Sequence, residues 1–401
     1  MQKLTSIFQG DRVIWIIYFF LCLISLIEVF SAGSTLAYKS GTFWAPLLKQ
    51  AAFLAGGTVV ALAIHAVPCR HFRPLPLLLY PVSLLLLVIT LFGGKTNDAA
   101  RWIDLGIVQF QPSEIAKGTL IITVALILSV QQTEKGTDPK AFKVILILAG
   151  LVCGLILPEN FSTAALLFGV VVLMMFIGRV PYKQLGKLFG SLALVVGLVV
   201  AVVAVTPDDS PLYKLPGMGR MLTWKNRIVR HGADERPAPK DYDIDKDGQI
   251  AHANIAIVSS NGIGKMPGNS VERDFLSQAY SDFIFAIIIE EMGLWGAFIV
   301  MALYLILLFR ASIIAGRCER NFPAFLVMGL ALLLVSQAFL NMLVAVGLFP
   351  VTGQPLPLIS RGGTSTLITC AYFGMMLSVS RYSRQSEQPV DPAQVNTAII
   401  A

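Results

Sequence analysis

The stretch SQAYSDFIFAIIIEEMG, Ser277–Gly293, turns apolar at Phe283, directly after Asp282, and carries two more acids, Glu290 and Glu291. A hydrophobic run that begins on a carboxylate and holds two others needs an explanation. Ionisable groups inside a membrane are costly and by default mark a functional site or a buried pair. The surrounding composition puts this run in a membrane: 55% of the 401 residues are hydrophobic and 14% are charged. A soluble domain carries about a quarter charged residues.

Working outward, runs long enough to span a bilayer start near Val13, Ala45, Pro74, Pro112, Lys143, Thr163, Leu185, Phe283, Phe322 and Gly363. The chain therefore reads as an all-α polytopic membrane protein with about ten transmembrane helices. The fifth and sixth are short and separated only by LPENFS. The first run is too long for a signal-peptide core of about 7–15 residues, so it is read as an uncleaved helix.

Lys and Arg set the orientation. With the N-terminus inside, the inner segments hold fifteen basic residues: Lys3, Arg12, Arg70, Arg73, Lys135, Lys140, Lys143, Arg179, Lys183, Lys187, Arg310, Arg317, Arg320, Arg381 and Arg384. The short outer segments hold four: Lys39, Lys95, Arg101 and Arg361. This bias, with an even number of spans, predicts both termini in the cytoplasm; the membrane itself is expected to be the cell's inner (plasma) membrane. The net charge of +7 belongs to those loops and says little about nucleic acid.

Residues 1–384 read as one transmembrane domain, with a large extracytoplasmic loop at about 206–281 between the seventh and eighth helices. Within that loop, WKNRIVRHG suits a short surface helix, DGQIAHANIAIVSS a re-entrant or interfacial helix, and NGIGKMPGN a Gly-rich turn region. The polar tail, 385–401, is expected to be disordered. Five cysteines show neither metal spacing nor a disulfide framework.

The intramembrane charges are Glu28, Lys49, Glu114, Lys117, Glu290 and Glu291. Glu114 and Lys117 stand three apart, so they share a helix face and can pair. On a continuous helix, Asp282 and Glu290 differ by about 80° with roughly 12 Å of rise. Glu291 would point nearly opposite Asp282. Asp282 can then face an outer cavity, or simply cap the eighth helix, while the Glu pair lies toward the other leaflet as packing or pairing groups. DIDKDG, 243–248, matches the first half of a calcium-binding loop, but Asn254 stands where the bidentate Glu belongs. A solvated acidic turn is the plainer expectation. His252 has no partner at metal spacing and reads as structural.

Three stretches resemble one family. RWIDLGIVQFQPSEIAK (Arg101–Lys117), YSDFIFAIIIEEMG (Tyr280–Gly293) and PVTGQPLPLISRGGTS (Pro350–Ser365) are similar, in family order, to signatures of the SEDS proteins, the FtsW, RodA and SpoVE group. Departures exist. LPENFSTA stands where the family has Q-P-D-x-G-T-A, placing Glu159 near the family Asp. Tyr280-Ser281 replaces His-Thr, and Arg361 replaces a common Tyr. GNSVERDFL looks more like division-type FtsW than RodA.

The resemblance implies ten spans and a peptidoglycan glycosyltransferase that polymerises lipid II into glycan strands, in septal synthesis for an FtsW-like chain. A lipid II flippase, a RodA-type elongation polymerase and a scaffold without chemistry are the alternatives. It implies that Asp282 is the catalytic acid and that Arg101, Glu114 and Lys117 are functional. Lys265 and Arg273, basic residues of the long loop, are candidates to bind the substrate diphosphate. No ligand set requires a metal, although a divalent cation could assist. Implied partners are lipid II, a class B penicillin-binding protein (a transpeptidase), other divisome membrane proteins and membrane lipid.

Overall fold

The first helix shows why these runs start where they do. Asp11 accepts hydrogen bonds from the backbone N–H of Val13 at 2.9 Å and of Ile14 at 3.2 Å, which satisfies two free donors at the helix start. The apolar run then continues as α1, Arg12–Ala32. The computed structural model describes residues 8–33, 44–92, 103–104, 109–134, 136–206, 244–276 and 279–386. Arg101, the surface-helix stretch WKNRIVRHG and nearly all of the tail lie outside the described residues.

The later runs form α2 (Ala45–Ala66), α3 (Leu75–Phe92), α4 (Pro112–Val130), α5 (Pro139–Ile156), α6 (Phe161–Ile177) and α7 (Tyr182–Val205). After the long loop come α8 (Ile244–Ser259), α9 (Ile284–Arg317), α10 (Asn321–Ala345) and α11 (Thr364–Ser386). A helix thus stands at each of the ten expected starts. Among the described residues, seven of these, α1–α5, α9 and α10, are long and apolar enough to cross a membrane, and α6 is apolar but 17 residues long. Two short hairpins, Ile103–Asp104 with Gln109–Phe110 and Gln132–Thr133 with Gly136–Thr137, punctuate the chain.

Hydrogen bonds fix which ends gather. Arg310 pairs with Asp11 at 2.8 Å, and Ser378 Oγ donates to Val67 O at 2.6 Å. The start of α1 and the ends of α2, α9 and α11 therefore share one end of the bundle. At the opposite end Ser25 Oγ donates to Ile359 O at 2.9 Å and Arg273 Nη1 to Ser31 O at 3.2 Å. This pairing of ends agrees with the alternation read from Lys and Arg.

Two expectations are corrected. The eighth span is not one continuous helix: α9 breaks at Gly293, whose backbone sits at φ 67° and ψ −166°. A side chain there would place its Cβ 2.5 Å from the backbone of Ile263, so the break needs glycine. The segment Ile284–Met292 is a half-helix and Leu294–Arg317 supplies the span. In the long loop, Ile244–Gly248 form the first turns of α8, so the described part of DIDKDG is helix rather than a calcium loop or a plain turn, and Asp243 lies outside the described residues. Further along α8, Ala253 and Ala256 are buried.

Candidate functional site

The residues before the half-helix are laid against the segment joining α10 to α11. Ser360 Oγ donates to Ser281 O at 2.6 Å, and Arg361 N donates to Tyr280 O at 3.0 Å. The Arg361 guanidinium lies over the Tyr280 ring, 5.6 Å from its centroid, a cation–π contact. Asn341 Nδ2 donates to Asp282 O and to Gln354 O, both at 2.8 Å. Asp282 is half-buried, and its Oδ1 accepts from Ser281 Oγ at 2.9 Å. The N-cap position falls to Phe283, one residue after Asp282. Asp282 is thus not at the capping position, because the half-helix begins a residue later than a capping acid requires.

Glu114 and Lys117 form the expected pair on α4, Nζ to Oε1 at 2.8 Å. Lys117 is 1% exposed and Glu114 5%. Lys117 Nζ also donates to Gln337 Oε1 at 2.9 Å, and Gln337 Nε2 donates to Pro355 O at 3.0 Å. Tyr372 Oη donates to Glu114 O at 2.6 Å. Gly118 makes room for that tyrosine, since a Cβ there would lie 2.4 Å from its ring. Glu114, Gln337, Pro355, Ser360 and Thr366 line a small crevice between α4, α10 and α11. A second crevice is lined by Gln111, Pro112, Ser113, Glu159 and Asn160, which brings the LPENFS motif to the start of α4.

The ion pair and Asp282 are therefore joined through α10, where Gln337 meets Lys117 and Asn341 meets Asp282 one turn later. Charge and motif did not single out Gln337, Asn341 or Tyr372, and Gln354 and Ser360 enter only as members of the Pro350–Ser365 stretch. The available signal was the i, i+4 spacing of two amides on an otherwise apolar helix.

Glu290 and Glu291 belong to a separate cluster at the helix break. Lys265 Nζ pairs with Glu290 Oε1 at 2.7 Å, and Ser270 Oγ donates to Glu290 Oε2 at 2.5 Å. Ser31 Oγ donates to Glu291 Oε1. Arg273 Nη1 donates to Ser31 Oγ at 3.2 Å and to Gly268 O at 2.8 Å. Backbone bonds from Lys265 N to Glu290 O at 2.9 Å and from Met266 N to Glu291 O at 2.8 Å complete the clamp. The two glutamates thus face the loop read as extracytoplasmic, and the expectation that they lie toward the other leaflet is wrong. All three acids precede the break at Gly293, so their spacing along the half-helix stands; the break re-aims the half-helix, and distance along it is therefore not depth toward the other leaflet. Lys265 and Arg273 are joined to this clamp rather than to the Asp282 group. His252 is structural as expected, with Nδ1 2.6 Å from Glu272 Oε2 and its ring stacked on Phe275.

This architecture defines a multi-pass helical membrane protein with polar groups buried between its spans. Residues 11–385 match the profile of the cell cycle protein family of FtsW, RodA and SpoVE, and the chain belongs to that family. It is 32% identical to the probable peptidoglycan glycosyltransferase FtsW of Halomonas elongata over 384 residues, 93% of this chain and 91% of the relative. It is 30% identical to the peptidoglycan glycosyltransferase MrdB of Escherichia coli K12 over 341 residues, 84% of this chain and 86% of the relative. Among solved structures it resembles a chain from a peptidoglycan synthase complex that coordinates polymerization and crosslinking, with TM-score 0.72 and 26% identity over 94% of this chain and 99% of that one. The rod shape determining protein RodA of Thermus thermophilus has the same fold, at TM-score 0.61 and 24% identity over 95% of this chain and 98% of that one.

Proposed function

We propose that this chain is a peptidoglycan glycosyltransferase that polymerises lipid II at the outer face of the plasma membrane. In this account it spans the membrane ten times, keeps both termini in the cytoplasm and works with a class B penicillin-binding protein in septal synthesis. One observation carries the proposal: the peptide of Asp282 is hydrogen-bonded to α10, the helix whose Gln337 accepts from Lys117 of the buried Lys117–Glu114 pair on α4. An acid and a cation on one scaffold are what displacement of a diphosphate requires.

Asp282 acts as general base. It takes the proton from the 4-hydroxyl of the acceptor sugar as that oxygen attacks the anomeric carbon of the donor. The bond from that carbon to undecaprenyl diphosphate breaks, and the α-linked donor yields a β-linked product. Charge developing on the leaving diphosphate needs cations aimed at it. Arg101 and Lys117 supply them, with Glu114 holding Lys117 in place. Lys265 and Arg273 brace the loop against the half-helix and α1 through Glu290 and Ser31. The half-buried carboxylate meets a polar head group while the lipid tail stays in the bilayer.

General-base assistance is worth about 10²–10⁴-fold. Purified with its transpeptidase, the Asp282→Ala protein should lose most lipid II polymerisation. Retention of the wild-type rate would remove Asp282 from the mechanism.

A further inference from the structure

We propose that Asn341 is the positioning residue that fixes where Asp282 stands, with Gln337 tying it to the Glu114–Lys117 pair; this rests on Asp282 being the base. Asn341 is 1% exposed. Both hydrogens of its Nδ2 go to backbone carbonyls, one on Asp282 and one on Gln354, each at 2.8 Å. Turning the amide over would set its oxygen against two carbonyl oxygens, so the hydrogen-bond network fixes its orientation.

The arrangement leaves Asn341 Oδ1 buried and without a partner among the described residues. A buried unsatisfied acceptor is destabilising, and the two carbonyls that the amide satisfies, on Asp282 and Gln354, offset it. The amide's use at this position is therefore what its Nδ2 holds. What it holds is the peptide of Asp282, next to the contacts of Ser281 and Tyr280 with Ser360 and Arg361. Gln337, four residues earlier on the same face of α10, accepts from Lys117 Nζ and donates to Pro355 O. The two amides bind neighbouring carbonyls, Gln354 O and Pro355 O, of one loop. A shift of α4 at Lys117 therefore reaches Asp282 through one rigid helix and one loop.

The test uses the full chain purified with its transpeptidase, with lipid II as substrate and kcat and KM measured separately across a range of pH. Asn341→Leu should lower kcat about 10–100-fold, as misplacement by an ångström can, with KM changed less than about twofold. Its pH–rate profile should shift on the acid limb, where Asp282 loses its charge. Asn341→Gln, which keeps both donors, should recover part of kcat. Gln337→Leu should give a smaller fall in kcat. Should Asn341→Leu fail to fold, Asn341→Ser takes its place with the same expectations. A wild-type kcat with either variant, a loss confined to KM, or a lower rate with an unmoved pH profile would overturn the positioning role. Asp282→Ala separates the layers: wild-type rate there sinks the base itself, whereas an inactive Asp282→Ala beside a fully active Asn341→Leu sinks only this proposal.

Discussion

The half-helix before Gly293 carries acids at both ends, and the protein treats the two ends differently. At the break, Glu290 and Glu291 are 0% and 1% exposed, and their carboxylate oxygens are themselves held by Lys265, Ser270 and Ser31. At the start, Asp282 is half-buried, and Asn341 grips its backbone while Ser360 grips that of Ser281. At the break the carboxylates are tied to neighbouring segments of the fold. At the start the chain is held mainly by its peptides, and the Asp282 carboxylate accepts from its neighbour Ser281. Acids within nine residues of each other can thus sit in different surroundings, and residue burial separates them better than charge does.

Substitutions can break that contrast. Lys117→Met should have the largest effect, leaving Glu114 buried without its cation, and breaking such a pair costs about 3–5 kcal/mol. Thermal unfolding in detergent would register it, and adding Glu114→Gln should restore most of the loss; no recovery would mean the two are not coupled. Gly293→Ala comes next, at about 2–3 kcal/mol, because the positive φ and the Ile263 backbone both oppose a side chain. Unfolding that matches wild type would show that the break relaxes. Lys265→Ala should cost about 1–2 kcal/mol: the lysine is 29% exposed, so solvent screens part of the pair. Its activity per folded molecule should fall less than that of Asp282→Ala. A larger loss of activity from Lys265→Ala than from Asp282→Ala would erase the distinction between the two ends.

Much of this was legible in the sequence. Long apolar runs bounded by Asp11, Pro112 or Asp138 can only be helices, and their ten starts recur within a few residues. The Glu114–Lys117 pair followed from i, i+3 spacing alone. The break was not legible: a glycine inside an apolar run is compatible with an unbroken helix. Its positive φ is stabilised by the turn at Gly262–Met266, which is distant in sequence and contributes bonds to Glu290 O and Glu291 O. For the same reason Lys265 and Arg273 read as free loop cations. Asn341 was hidden because an uncharged amide in a span attracts no attention until its two carbonyl partners are seen.

The most direct test compares lipid II polymerisation by wild type, Asp282→Ala and Glu290→Ala, each with the transpeptidase and each corrected for folded fraction. The account predicts that Asp282→Ala retains its melting temperature and loses polymerisation by about 100-fold or more, while Glu290→Ala melts earlier and keeps its rate per folded molecule. Polymerisation by Asp282→Ala at the wild-type rate, or an equal loss from Glu290→Ala without loss of stability, would contradict it.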